Sequence, residues 1–282
     1  MRCAWQSYLN ILPQWMRESV DKLGSETLQE LRLRLGRPPE LVTVTGNQYL
    51  NRSIHADDIS FCINAASQYS PWTASTITSG YITISGGHRI GICGEVVMIN
   101  GRESTIRNVS SLCLRVARDF PGISLQAAQI VGNVLILGCP GRGKTTFLRD
   151  LIRQKSNIGN GSVAVVDERR ELFPVVNDAF VFSPGIRTDV LSGCCKQSGI
   201  EMVIRTMNPM WVAVDEITAI EDCQALIHAC WCGVSLLATA HAENLQDLMN
   251  RHVYKSLLDA RIFQNIIIMQ PDKSWRMERL NG

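Results

Sequence analysis

Residues 138–145 read Gly138-Cys139-Pro140-Gly141-Arg142-Gly143-Lys144-Thr145, a full match to G-x-x-x-x-G-K-[ST]. No other stretch narrows the fold as much. The glycines let the backbone curl so that its N–H groups converge on an anion, and the helix that follows presents its positive end to the same place. That chemistry needs a strand before the loop and a helix after it. Both are present in pattern: Val134 to Leu137 is a short apolar run, and a helical stretch follows to about Gln154. A chance glycine-rich turn lacks that context. The loop residues Gly138, Cys139, Pro140, Gly141, Arg142, Gly143, Lys144, Thr145 and Thr146 are therefore the expected phosphate-binding set. Lys144 would reach the β- and γ-phosphates of ATP, and the Thr145 hydroxyl would ligate Mg2+. Cys139 and Arg142 fill variable positions, where Cys139 reads as a spacer in preference to a redox group.

The remaining half of the chain alternates strand and helix. Val163 to Val166, Val212 to Val214 and Ser235 to Thr239 read as further strands, with a helix over Ile217 to Cys232. This order predicts a parallel sheet with helices on both faces. Strand ends in such sheets collect ligands. The strand Trp211 to Val214 runs into Asp215 and Glu216, expected to serve Mg2+ and the attacking water; the alternative is an acid pair capping the next helix. A second strand ends in Asp167 and Glu168. It intervenes in sequence, which favours the RecA-like branch of P-loop proteins. These two acids either help place water and metal or pair with Arg169 and Arg170. His241, after a third strand, is a candidate phosphate sensor or an ordinary structural or exposed histidine. Arg187 and Arg205 are candidates for stabilising charge, in their own subunit or in a neighbour, against a plain surface role.

The first 118 residues have a different rhythm. Leu9, Leu12, Met16, Val20 and Leu23 recur at helical spacing up to Gly24-Ser25, and a second helix is expected from Ala56 to Tyr69. Leu31, Leu33 and Leu35 alternate with Arg32 and Arg34, a strand with one apolar and one cationic face, and Leu41 to Thr45 is its expected partner. A meander follows in Tyr81 to Ile84, His88 to Ile92 and Glu95 to Met98, with a hairpin signal at Asn100-Gly101 and one more strand over Ser110 to Ala117. The chain thus reads as α/β: a RecA-like P-loop domain at 123–282, preceded by a smaller α+β domain at 1–118, with Phe120-Pro121-Gly122 between them.

Composition excludes some classes. Charged residues are 19% and apolar ones 45%, which suits a packed core and not a disordered chain. No apolar run approaches the roughly 18–20 residues of a membrane span, and no secretory signal is read at the start. The net charge of +2 gives no global signature of a nucleic-acid binder. Ten cysteines without paired C-x-x-C spacing suggest a reducing cytosol, and only Cys230 and Cys232, near His228 and His241, hint at a metal.

Several blocks resemble the stage III sporulation AA family, related to the type II and type IV secretion ATPases. They are Glu30 to Pro38, Gly80 to Gly91, Arg107 to Arg118, the phosphate loop, Val166-Asp167-Glu168-Arg169, Gly185 to Leu191, Asp215-Glu216 and Ala238-Thr239-Ala240-His241. The Gly-Gly-His-Arg and Gly-Ile-Arg-Thr-Asp-Val-Leu blocks are the specific ones, and the likeness spans nearly the whole chain. It implies an Mg-ATP-driven motor, peripheral to the membrane between mother cell and forespore on its cytoplasmic, mother-cell side. Membrane-embedded sporulation channel proteins are its implied partners, and a homo-oligomeric ring, expected hexameric, its implied assembly, with ATP at subunit interfaces and no obligatory nucleic acid. Asp167-Glu168 resembles that family's aspartate box and His241 its histidine box. Where secretion ATPases often carry glycine before the glutamate, this chain has Asp215. His88 and Arg89 are candidates to face a neighbouring nucleotide, the alternative being a glycine hairpin with a solvated tip. Two rivals remain: a nucleic-acid-dependent ATPase, using Arg32, Arg34, Arg102 and Arg107, and a nucleotide-gated scaffold with little turnover.

Overall fold

The computed structural model describes residues 1–67, 80–158, 161–176 and 178–280. The chain forms two compact units, residues 1–119 with 175–181, and residues 120–174 with 182–282.

The first unit opens with two helices, α1 (Trp5–Asn10) and α2 (Gln14–Thr27), where the periodicity alone suggested one. Pro13 is the reason: it stands immediately before α2 as the N-cap, a position that tolerates its missing N–H, whereas inside a continuous helix it would break the ladder. Strands β1 (Leu28–Arg34), β2 (Glu40–Thr43) and β3 (Gly46–Tyr49) come next, then α3 (Ala56–Ser67). The end of the helix expected at Tyr69 lies outside the described residues. Strand β4 (Tyr81–Thr83) leads to β5 (Arg89–Ile99) and β6 (Arg102–Arg115). The two short strands expected at 88–92 and 95–98 are one strand with a register shift between Cys93 and Glu95, and the strand expected from Ser110 is the end of β6. The sheet runs β3-β2-β1-β6-β5-β4, antiparallel throughout.

Alternation explains its two faces. Leu31, Leu33, Ile90, Ile92, Leu112 and Leu114 are buried against Tyr8, Leu12, Met16 and Val20 of the helices and Ile59 of α3. Arg32 and Arg34 lie on the other face, yet that face is not a free cationic stripe. Arg32 pairs with Glu30 at 2.8 Å and Arg34 with Glu40 at 2.6 Å, while Arg115 reaches Glu30 at 3.3 Å. The charge of Arg32 and Arg34 on this face is matched by carboxylates.

The second unit is built on seven strands: β7 (Val134–Leu137), β8 (Val163–Asp167), β11 (Thr188–Ser192), β12 (Trp211–Ile217), β13 (Ser235–Ala240), β14 (Asn265–Met269) and β15 (Trp275–Arg279). A small antiparallel hairpin of β9 (Val175–Val176) and β10 (Ala179–Phe180) belongs with the first unit. The large sheet has the order β11-β8-β12-β13-β7-β14-β15. All pairs are parallel except β14 with β15, so the expected parallel sheet carries one antiparallel edge strand. That edge holds Arg276 and Glu278, paired at 3.0 Å.

Helices α4 (Lys144–Ile158), α5 (Lys196–Met207) and α6 (Ile220–Trp231) flank the sheet, with the short α7 (Leu245–Met249) and α8 (Lys255–Asp259) beyond. One sheet face, with Leu135, Leu137, Ala164, Val166, Val212, Val214, Leu236 and Ala238, forms a core with Ile200, Val203, Cys223 and Leu226 of α5 and α6. The alternate residues, among them Ile136, Val165, Ala213 and Leu237, are equally buried, and α4 buries Phe147, Leu148, Leu151 and Ile152. No helix among the described residues is long and apolar enough to cross a membrane.

Candidate functional site

In a parallel sheet every strand points the same way, so the residues that follow β7, β8, β12 and β13 share one edge. After β7 the loop turns through Gly141 and Gly143 at φ +77° and +90°, values that only glycine adopts without strain, and enters α4 at Lys144. The Lys144 side chain folds back under the loop. Its Nζ donates to Gly138 O at 2.7 Å, to Cys139 O at 3.2 Å and to His241 Nδ1 at 3.0 Å. Burial pushes the Lys144 ammonium below its ordinary pKa, while Asp215 and Glu216 pull it back up. Thr146 is half-buried in the first turn of α4, Cys139 is half-buried, and Pro140 is exposed. Arg142 leans outward, donating to Met269 O at 3.4 Å and pairing with Glu243 at 3.6 Å.

The strand next to β7 is β13, and β12 lies beyond it. Asp215 and Glu216 are thus one strand removed from the loop, and the Asp167 strand, intervening in sequence, lies outside β12 in space. At the end of β12 the register jumps from Val214↔Ala238 to Ile217↔Ala240, so Asp215 and Glu216 together stand opposite Thr239. This is a bulge, a device that re-aims side chains at sheet rims. Glu216 takes φ +58°, a left-handed conformation that a glutamate adopts only when its surroundings hold it there.

The bulge points both acids at their neighbours. Asp215 accepts from Thr145 Oγ1 at 2.7 Å through one oxygen and from Thr239 Oγ1 at 2.6 Å through the other. Glu216 N–H donates to Thr239 Oγ1 at 2.7 Å. The Glu216 carboxylate meets His241 Nε2 at 2.9 Å and Arg169 Nη1 at 2.6 Å, one oxygen each. The His241 tautomer follows from its partners. An ammonium has only hydrogens to offer, so Nδ1 accepts from Lys144, and Nε2 carries the proton that is donated to Glu216. Lys144, His241 and Glu216 form one unbroken chain.

Asp167 and Glu168 are placed otherwise. Asp167 is buried and accepts three backbone N–H groups, from Glu171 at 2.9 Å and from Leu172 and Phe173 at 3.0 Å each. Burial pushes its carboxyl above the ordinary value, against the pull of those N–H groups. Its oxygens shape the turn that carries Arg169. Glu168 pairs with the buried Lys196, which also lies 3.7 Å from Asp222. Arg169 reaches Glu216 across the rim, a partner 47 residues away that spacing does not reveal.

Arg187 and Arg205 are not brought to this edge. Arg187 precedes β11, whose first residue Thr188 pairs with Val163, the first of β8, and its guanidinium donates to Asn157 O at 3.4 Å. Arg205 is in the last turn of α5, which leads back to the start of β12, and bonds locally to Glu201 O at 3.3 Å. Both belong to the opposite edge of the sheet within one subunit. The cysteine cluster also disperses. Cys230 Sγ takes a bond from Asn133 at 3.3 Å, Cys232 is exposed 4.0 Å from His228, and His241 serves Lys144 and Glu216.

In the first unit His88 is fully buried, not at a solvated tip. Ala117 N–H donates to its Nδ1 at 3.0 Å and its Nε2 donates to Ala4 O at 2.9 Å, so the neutral ring ties three segments together. Arg89 stacks over Tyr81 at 3.9 Å. His88 thus acts as a buried packing residue within the first unit.

A phosphate loop, an interposed strand and strand-end acids on an α/β sheet define a RecA-like P-loop fold of the secretion-ATPase kind. The fold matches the Legionella pneumophila ATPase DotB with a TM-score of 0.62, at 17% identity over 95% of this chain and 80% of that one. It matches the pilus retraction motor PilT, a structure with bound ADP, at the same TM-score of 0.62, with 14% identity over 94% and 83%. The chain belongs to the family described as Sporulation stage III, protein AA, which matches residues 5–278. It is 35% identical over 270 residues to Stage III sporulation protein AA of Bacillus subtilis (strain 168), covering 91% of this chain and 88% of that one.

Proposed function

We propose that the chain is an oligomeric ATPase that binds Mg-ATP at the phosphate loop and hydrolyses it to power assembly of, or transport through, a sporulation-specific channel. In this reading residues 123–282 carry the ATP chemistry and residues 1–118 form a smaller α+β domain. The carrying observation is the convergence of Thr145, Asp215, Thr239, Glu216 and His241 on one rim beside Lys144.

The donor set fits the cofactors. A loop of N–H groups ahead of a helix, with a buried lysine bonded to two loop carbonyls and an imidazole, has the charge and shape for polyphosphate. Thr145 and Asp215 offer hard oxygen ligands 2.7 Å apart, the kind Mg2+ takes beside substrate phosphates. Bound Mg-ATP supplies the phosphoanhydride bond and its charge neutralisation. Lys144 would turn its donors from the loop carbonyls to phosphate, and Thr145 and Asp215 would hold the metal. Glu216 would accept the proton of the attacking water, with His241 and Arg169 fixing the carboxylate from either side. Asp167 and Glu168 act indirectly, through the Arg169 turn and through Lys196. A role for Arg187 or Arg205 then falls to a neighbouring subunit's site.

Phosphate release measured against protein concentration, with Lys144→Ala as the blank, tests this. Specific activity rising with concentration supports a site completed in a ring. Glu216→Gln should keep ATP binding and lose turnover by about 10²-fold or more; undiminished turnover overturns the assignment of the base.

A further inference from the structure

We propose that Thr239 is a positioning residue that sets the metal ligand and the general base together, so that neither is aligned without the other. The inference rests on the reading of Asp215 and Glu216 above. Thr239 lies on the strand interposed between the phosphate loop and the acids, and it is fully buried. The direction of both its bonds is forced by its partners: a carboxylate accepts and a backbone N–H donates. The hydroxyl therefore gives its single hydrogen to Asp215 Oδ1 at 2.6 Å and takes the Glu216 N–H at 2.7 Å.

Each bond fixes something specific. The bond to Asp215 orients that carboxylate so that its other oxygen faces Thr145 on the loop, 2.7 Å away. The bond from Glu216 stands where the strand register skips, and holds a residue at φ +58°. From that backbone the Glu216 side chain reaches His241 at 2.9 Å. One hydroxyl thus sits between the loop–metal half of the site and the base–histidine half. A valine has the same shape and keeps the packing, but strands an N–H and a carboxylate oxygen. A serine keeps both bonds and gives up a methyl.

The test uses the full chain, a fluorescent ATP analogue titrated with Mg2+ and with EDTA, and phosphate release. Wild type, Thr239→Val and Thr239→Ser are compared. Thr239→Val should bind the analogue in EDTA within about 2-fold of wild type, because the phosphate loop is untouched. It should lose the Mg2+ enhancement of binding by about 10-fold and lower kcat by about 10²-fold, while Thr239→Ser stays within about 3-fold on both. Wild-type Mg2+ enhancement and turnover in Thr239→Val overturn the proposal. Equal damage in the serine variant also overturns it, by assigning the effect to the lost methyl. If wild type shows no turnover alone, the Mg2+ enhancement decides; a wild type that binds without any enhancement refutes the coupling. A wild type that binds no analogue at all refutes the nucleotide reading itself.

Discussion

Removing the Asp167 side chain should open the turn beside the site while leaving the sheet folded. Its two oxygens accept three backbone N–H groups at 2.9–3.0 Å, and two of the donors, Leu172 and Phe173, are fully buried and cannot turn to water. A hydrogen bond to a charged acceptor contributes about 1.5–3 kcal/mol, and a buried donor left unpaired costs about 1–3 kcal/mol. Against this stands the cost of burying the carboxylate, which is why its pKa is raised. A net local loss of about 2–4 kcal/mol follows for Asp167→Ala. Arg149 still holds the turn through the carbonyls of Leu172 at 2.7 Å and Glu171 at 2.8 Å, so the opening is local. At about 1.4 kcal/mol per tenfold, the amides of 171–173 should exchange about 30- to 1000-fold faster, read by hydrogen-exchange mass spectrometry. Asp167→Asn, which retains one acceptor oxygen, should fall between. Exchange within about 3-fold of wild type in Asp167→Ala would refute the capping role and return Asp167 to the list of groups free for water or metal.

Three further outcomes are expected. Gly86→Ala should destabilise the first unit by about 2–4 kcal/mol in urea unfolding, since the new Cβ would stand 2.3 Å from Ala4 Cβ at φ +85°; a change under about 0.5 kcal/mol would contradict the packing. Burial lowers the His88 pKa below its unfolded value, so its contribution is complete above about pH 6.5 and drains away as pH falls through the lower folded pKa. The acid limb of a stability–pH curve should accordingly flatten in His88→Gln, from a lower starting stability, and an unchanged limb would refute this. Arg169→Ala should leave the thermal midpoint nearly unchanged, because the pair with Glu216 is half exposed on the arginine side, yet lower turnover about tenfold through a mis-set carboxylate. Equal turnover would make Arg169 a bystander.

How much of this was legible beforehand depends on which forces leave a local trace. The phosphate loop and the strands at 134, 163, 212 and 235 did, because glycine spacing and continuous apolar runs are properties of short segments. Strand β14 did not: Asn265-Ile266-Ile267-Ile268-Met269 is buried at every position, and the four-residue apolar run Ile266 to Met269 has no period to separate strand from helix. Strand β11 is a half-exposed edge, with Asp189 inside it, and gives no alternation to read. At the site, Thr239 and His241 were visible as polar residues at an apolar strand end. The Arg169–Glu216 pair and the burial of His88 were not, since both depend on partners 47 and 84 residues away in sequence. The cationic face of β1 misled because Glu40, which answers Arg34, lies on the next strand.

The antiparallel strand at the end of the large sheet has a consequence for solubility and assembly. An open strand edge invites pairing with a second chain, and charged side chains are a common guard against it. Strand β15 presents Arg276, Glu278 and Arg279 along that edge, so sheet-to-sheet growth into fibrils is disfavoured there. A contact made through this edge then has to draw its adhesion from side-chain surfaces and not from a shared backbone ladder.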